Sequence, residues 1–183
     1  YGVTGEQGVE VSRKVQKVFG ILETLPIPVI FAVKGLNLTA GFELMLASDI
    51  IIAAENAQLG QIEAKWALTP GGGGTQRLTR LVGVLKAREL IYTAKIIPAQ
   101  EALSIGLVNH VVPLDQIKDK VLEIAEQIKK RTRNCITDAK RLINHAYYPQ
   151  EEGFKDENVV FGQRFASEEP KNAFKSFIGR NKS

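Results

Sequence analysis

Residues that most often announce chemistry are scarce in this chain, which has one cysteine, one methionine, one tryptophan and two histidines among 183 residues. A lone Cys135 closes no internal disulfide, which is consistent with a reducing compartment, and it is expected to be a core residue. His110 lies in a strand-like run and His145 near a helix end. Neither has a serine or cysteine in triad-like context or a carboxylate cluster at metal-ligand spacing, so both are read as structural and no metal site is expected. No apolar run reaches the roughly 18 residues of a membrane span. No signal-peptide pattern, repeat or low-complexity segment occurs either. These absences lead to the expectation of a soluble protein, cytoplasmic or, in a eukaryote, in the mitochondrial matrix.

With 44% hydrophobic and 24% charged residues, the chain fits one globular domain. Its net charge of +4 suits an anionic ligand or a nucleic-acid surface and selects neither. Val11, Val15, Val18, Leu22 and Leu25 recur at helical spacing, and Pro26 and Pro28 end that helix. "VIFAV" (29–33) and "DIIIAA" (49–54) show no alternation, as in strands buried on both faces. Between them "KGLNLTAG" reads as a turn, and Thr39, or the backbone just after it, opens a helix over about 40–47. A short strand ends at Gly60. Thr75 is expected to cap the next helix, which breaks at Gly83 and resumes through "LKARELIY". "PAQEALSIG" is a short helix closed by Gly106, and "LVNHVV" returns as a strand. Ile117, Val121, Ile124 and Ile128 mark another helix. Beyond Arg133 the character is helical, with Phe154, Phe161 and Phe165 on one stripe and a last helix from Lys171. The order favours helices packed on one mostly parallel sheet.

Two acids are candidates for chemistry, Glu43 because it is out of keeping with its apolar neighbours and Glu63 because of its place in the fold. Glu43 stands in "TAGFELMLASD" with no Lys or Arg three or four residues away. Either it faces solvent at a helix's first turn, or burial lifts its pKa toward the range of a general acid or base. Glu63, in "GQIEAK", follows a strand end where α/β folds collect reactive groups, and could equally be a surface acid near Lys65. "TPGGGGTQR" lacks the ending of a Walker loop and the spaced glycines of a dinucleotide fingerprint. It remains a loop whose backbone can approach a ligand closely. "KKRTR" (129–133) suits a solvated helix end better than a nucleic-acid patch.

Taken together, the G-x-E-L, S-D, x-G-Q-x-E, P-G-x-G-G-T-Q-R-L and A-x-x-x-G-L-V stretches, from "PVIFAVKGLNLTAGFELMLASDIIIAAENAQLGQIEAKWALTPGGGGTQRLTRLVG" through "ELIYTAKIIPAQEALSIGLVNHVV", resemble the crotonase, or enoyl-CoA hydratase/isomerase, superfamily. The resemblance implies an α/β fold: a crotonase-like spiral of ββα units over 1–112, N-terminally incomplete, then a C-terminal helical trimerisation region over 113–183. It implies an acyl-CoA thioester substrate, no cofactor beyond the coenzyme A the substrate carries, and a homotrimer or a hexamer built as a dimer of trimers. Glu43 would mainly activate water and Glu63 mainly protonate the α-carbon of a 2-enoyl thioester. The backbone N–H of Ala40 would be one oxyanion donor. Gly41, Gly71, Phe161 and Arg180, where a lysine is more usual, match substrate- or CoA-binding positions, and Trp66 is a candidate pocket wall.

The sequence departs from the pattern in two places. "NLTAG" stands where "ALGGG" is common, and the Cβ of Ala40 excludes backbone angles open to glycine. The family's earlier strands, which supply the second oxyanion donor, have no counterpart here, so these 183 residues alone are expected to be inactive. Rival readings are an isomerase, a methylglutaconyl-CoA-type hydratase suggested by "PGGGGTQRL" and "SRKVQKVF", an RNA-binding protein using Arg13, Lys14 and Lys17, and a non-catalytic assembly subunit. Nucleic-acid and membrane partners are not expected.

Overall fold

The chain divides into two compact units, residues 1–126 and 127–183. The computed structural model describes residues 5–146. The first helix, α1 (Gly5–Thr24), begins six residues before the periodic stretch that announces it and stops ahead of Pro26 and Pro28, as expected. None of its residues is buried.

Strands β1 (Ile30–Val33) and β2 (Leu36–Leu38) are separated by Gly35, at φ 60°. They are followed by α2 (Ala40–Met45), β3 (Ile50–Ala54) and β4 (Gln58–Gly60). A 3₁₀ turn (Glu63–Trp66) precedes α3 (Gly74–Val82) and α4 (Val84–Thr93). Then come β5 (Ile97–Pro98), α5 (Ala99–Ser104), β6 (His110–Val112), α6 (Ile117–Lys129) and α7 (Arg133–His145).

In place of the single sheet expected from the sequence there are two, each of three strands. The order β1-β3-β6 is parallel throughout, with Ile30 opposite Ile50 and Ile52 opposite His110. Central β3 is buried from Ile51 to Ala54, which accounts for its unalternating pattern. The second sheet, β2-β4-β5, pairs Leu36–Leu38 in parallel with Gln58–Gly60, and β4 antiparallel with β5. The segment read as a turn therefore contains a strand. Three residues are too few to show a period, and this strand exists through its partner twenty-two positions on.

Two caps differ from expectation or confirm it. Gly73, at φ 105°, precedes α3, so Thr75 lies inside the helix rather than capping it. A left-handed N-cap needs glycine, and a threonine hydroxyl two residues later has no comparable role there. At α5 the expected Gly106 does close the helix. Its φ is 73°, its N–H donates to Leu103 O, and Leu107 N–H donates to Ala102 O, the two bonds of a Schellman motif. Phe42, Met45, Leu59, Leu78, Leu90, Ile97 and Leu107 fill the core between the sheets and α2, α3, α4 and α5.

In the second unit, Cys135 is exposed, contrary to its expected place in the core. It lies in the first turn of α7. The phenylalanine stripe, the helix from Lys171 and the expected trimerisation contacts lie outside the described residues. Among the described residues, no helix is long and apolar enough to cross a membrane.

Candidate active site

The chain leaves β2 and enters α2 through one residue, Thr39, at φ 52° and ψ −123°. Its N–H donates to Gly60 O at 3.0 Å, and its carbonyl accepts from Glu43 N–H at 2.9 Å. The conformational demand anticipated at Ala40 thus falls one residue earlier. Ala40 is the first helical residue, exposed, and its N–H has no carbonyl one turn back to donate to. Gly41 follows because a Cβ there would lie 2.6 Å from Asn37 Oδ1, and the buried Asn37 amide donates to Met45 Sδ at 3.3 Å.

Glu43 belongs to the first turn of α2 but is only 3% exposed, with Phe42 and Met45 buried beside it. Its Oε1 accepts the backbone N–H groups of Gly72 and Gly74, both at 2.8 Å. This contact explains the glycine run. A Cβ on Gly72 would come within 2.7 Å of Glu43 Oε2 and 2.9 Å of Phe19 Cε2, and one on Gly74 within 2.5 Å of Gln61 Oε1 and 2.8 Å of Glu43 Oε1. The backbone approaches the carboxylate so closely that no side chain fits.

Glu63 opens the 3₁₀ turn and is also buried, so the surface role near Lys65 does not hold. Its Oε1 accepts from Gln61 Nε2 at 2.8 Å. Glu63 Oε2 and Gln61 Oε1 are buried without a hydrogen-bond partner. Gln61 joins the two acids, since its carbonyl faces the same spot beside Gly74 as Glu43 Oε1 and its amide holds Glu63. Burial pushes the Glu43 carboxyl above the ordinary glutamate range. The amides of Gly74 and Gly72 pull it back, the Glu63 charge adds to the rise and Arg77 opposes it.

The glycine loop is held from outside. Arg77 donates through Nε and Nη2 to the two carboxylate oxygens of Glu23 at 2.7 and 2.8 Å, and through Nη1 to Gly72 O at 2.8 Å. Gly71 turns its carbonyl to Ser12 and Gln16 of α1, and the amides that reach Glu43 belong to its neighbours. Trp66, at the end of the 3₁₀ turn, is 60% exposed. Phe161 and Arg180 lie outside the described residues. Among the described residues, no three His, Cys, Asp or Glu side chains gather as a metal-binding group.

Gly72, Gly74, Gln61 and the Glu23–Arg77 pair were not singled out from the sequence. Gln61 alone had a local signal, a polar residue in the run that leaves β4 toward Glu63.

A model of the family described as enoyl-CoA hydratase/isomerase matches residues 3–183. The chain belongs to the enoyl-CoA hydratase/isomerase family. A short-chain-enoyl-CoA hydratase of Clostridium acetobutylicum is 42% identical over 167 residues, covering 91% of this chain and 64% of its own length. The mitochondrial methylglutaconyl-CoA hydratase of Mus musculus is 42% identical over 135 residues, 72% of this chain and 43% of that protein. A crystal structure of enoyl-CoA hydratase from Bacillus anthracis superimposes with a TM-score of 0.91 at 38% identity, over 98% of this chain and 70% of that one. The chain thus has a crotonase-like α/β fold and spans less than two thirds of the length of the clostridial relative.

Proposed function

We propose that the protein hydrates 2-enoyl-CoA thioesters, with Glu43 and Glu63 as its acid–base pair. The observation that supports this most is the pair of buried acids, of which Glu43 is fixed by two backbone amides while Glu63 keeps an oxygen without a partner. With Oε1 occupied by the two amides, Glu43 has Oε2 left for a water molecule. A carboxylate made more basic by burial takes that water's proton as its oxygen bonds to C3. The C2=C3 electron pair moves to the thioester oxygen, and C2 then takes a proton from Glu63. The pair carries one proton throughout: it leaves Glu63 for C2, an equivalent one arrives on Glu43 from water, and its return to Glu63 resets the site. The Ala40 N–H is the donor this chain offers to the developing oxyanion, an interaction whose loss costs about 2.7–4 kcal/mol in comparable sites.

Coenzyme A enters as part of the substrate, and the assembly proposed is a homotrimer or a dimer of trimers. A methylglutaconyl-CoA-type substrate is the second reading, favoured by the mouse relative. An RNA-binding role is weakened because Lys14 pairs with Glu10 at 2.7 Å.

The test uses protein expressed from its full coding sequence, assayed on crotonyl-CoA and methylglutaconyl-CoA. Glu43→Gln and Glu63→Gln should each lower kcat about 10²–10⁴-fold with little change in KM. Undiminished turnover in either variant would refute the assignment.

A further inference from the structure

Helix α1 reaches the site through the glycine loop. Ser12 and Gln16 lie one turn apart on the same face, and both donate to Gly71 O, from Ser12 Oγ at 2.7 Å and Gln16 Nε2 at 3.0 Å. Gln16 Nε2 also donates to Ser12 Oγ at 3.2 Å, which orients the hydroxyl. The carbonyl they hold belongs to the peptide unit whose opposite edge is the Gly72 N–H, the donor to Glu43 Oε1. Because that unit is planar, fixing its oxygen fixes the direction of its hydrogen. The next unit is pinned in the same way, with Gly72 O held by Arg77 and Arg77 held by Glu23 of α1.

We infer that Ser12 and Gln16 are positioning residues, which set the Gly72 peptide plane and through it the hydrogen bonding of Glu43. Two donors on the carbonyl also polarise the peptide, so its N–H is a stronger partner for an ionised carboxylate than an unsupported amide would be. The same face of α1 leaves the basic residues Arg13, Lys14 and Lys17 elsewhere on the helix, so the "SRKVQKVF" segment acts here through its serine and glutamine. The other charged groups acting on Glu43 are Glu63 from the 3₁₀ turn and Arg77 from α3, the latter paired with Glu23. Neither of these is altered by changing Ser12.

The mechanistic meaning of this support rests on Glu43 being the base proposed above, but its test does not need turnover. Protein with ¹³C-labelled glutamate carboxyls is titrated by NMR, with Glu43→Gln identifying the resonance. Ser12→Ala should move the Glu43 titration upward, by roughly a few tenths of a pH unit, as follows when a charge-assisted bond loses one polarising partner. Ser12→Ala with Gln16→Ala should move it further, Ser12→Thr should restore it, and the exposed Lys17→Ala should leave it in place. The acid limb of kcat/KM should shift in the same direction with KM nearly constant.

An unmoved Glu43 titration in the double variant overturns the inference, whatever the enzyme's rate. A shifted titration in a protein that hydrates no enoyl-CoA upholds the positioning and overturns the hydratase reading instead.

Discussion

Thr39 should be more stable as glycine, the reverse of the usual effect of introducing one. At φ 52° and ψ −123° it occupies backbone space that glycine enters freely and a β-branched residue enters at a cost of about 1–3 kcal/mol. Thr39→Gly removes that strain. Against this, glycine loosens the unfolded chain at a cost of about 0.5–1 kcal/mol, and the half-buried threonine side chain loses its contacts. The balance is a gain of about 1 kcal/mol, or roughly 2–4 °C in Tm for a chain of this length. Thr39→Ala is the control, because its Cβ meets the same obstruction and brings no relief. Urea unfolding followed by far-UV circular dichroism, at unchanged m, should rank glycine above threonine and threonine at or above alanine. Glycine falling below alanine, the order seen in an ordinary helix, would refute the reasoning. Turnover should survive Thr39→Gly, since the Ala40 N–H keeps its direction.

Gly72→Ala and Gly74→Ala place a methyl against Glu43 and against Phe19 or Gln61. Each should cost about 1–3 kcal/mol in a melt and, by displacing the base, about 10²-fold in kcat. Burial raises the Glu43 pKa, so the folded protein holds that proton more tightly than the unfolded chain does. This contribution to stability is full below the ordinary glutamate value and lost as pH rises through the folded one. Glu43→Gln should therefore gain stability over the parent as pH rises above the ordinary glutamate value, measured by urea midpoints, with the gap narrowing in acid. Arg77→Met leaves the partly buried Glu23 carboxylate without its bidentate partner and should destabilise by about 1–3 kcal/mol. A double-mutant cycle with Glu23→Gln should recover a coupling of roughly 1 kcal/mol.

The sequence made legible those features that repeat or punctuate locally. The apolar spacing of α1, the unbroken runs of β1 and β3 and the glycine closing α5 are written in a few neighbouring residues. Glu43 stood out for a similar reason, as a charge in apolar company, and Glu63 by its place just after a strand end. What could not be read depends on distant partners. Strand β2 exists because Leu36–Leu38 pair with β4, and the single expected sheet becomes two for the same reason. The glycine loop suggested close approach to a ligand, while its nearest neighbour is the protein's own Glu43. Which glycine donates to Glu43 depends on proximity across about thirty residues, and the hold of Ser12 on the loop and of Glu23 on Arg77 on proximity across more than fifty. Cys135 shows the opposite error, in which a residue type with a strong average preference for the interior was given that average in a helix where it faces outward.

Helix α1 braces the glycine loop and yet contributes no residue to the buried core. A segment anchored so lightly opens at lower free energy than the strands beneath it. On warming, it should peel away first and leave the hydrophobic interior intact. Loss of any reaction that depends on Glu43 would then precede global melting, so the protein's working temperature is limited by the detachment of one surface helix.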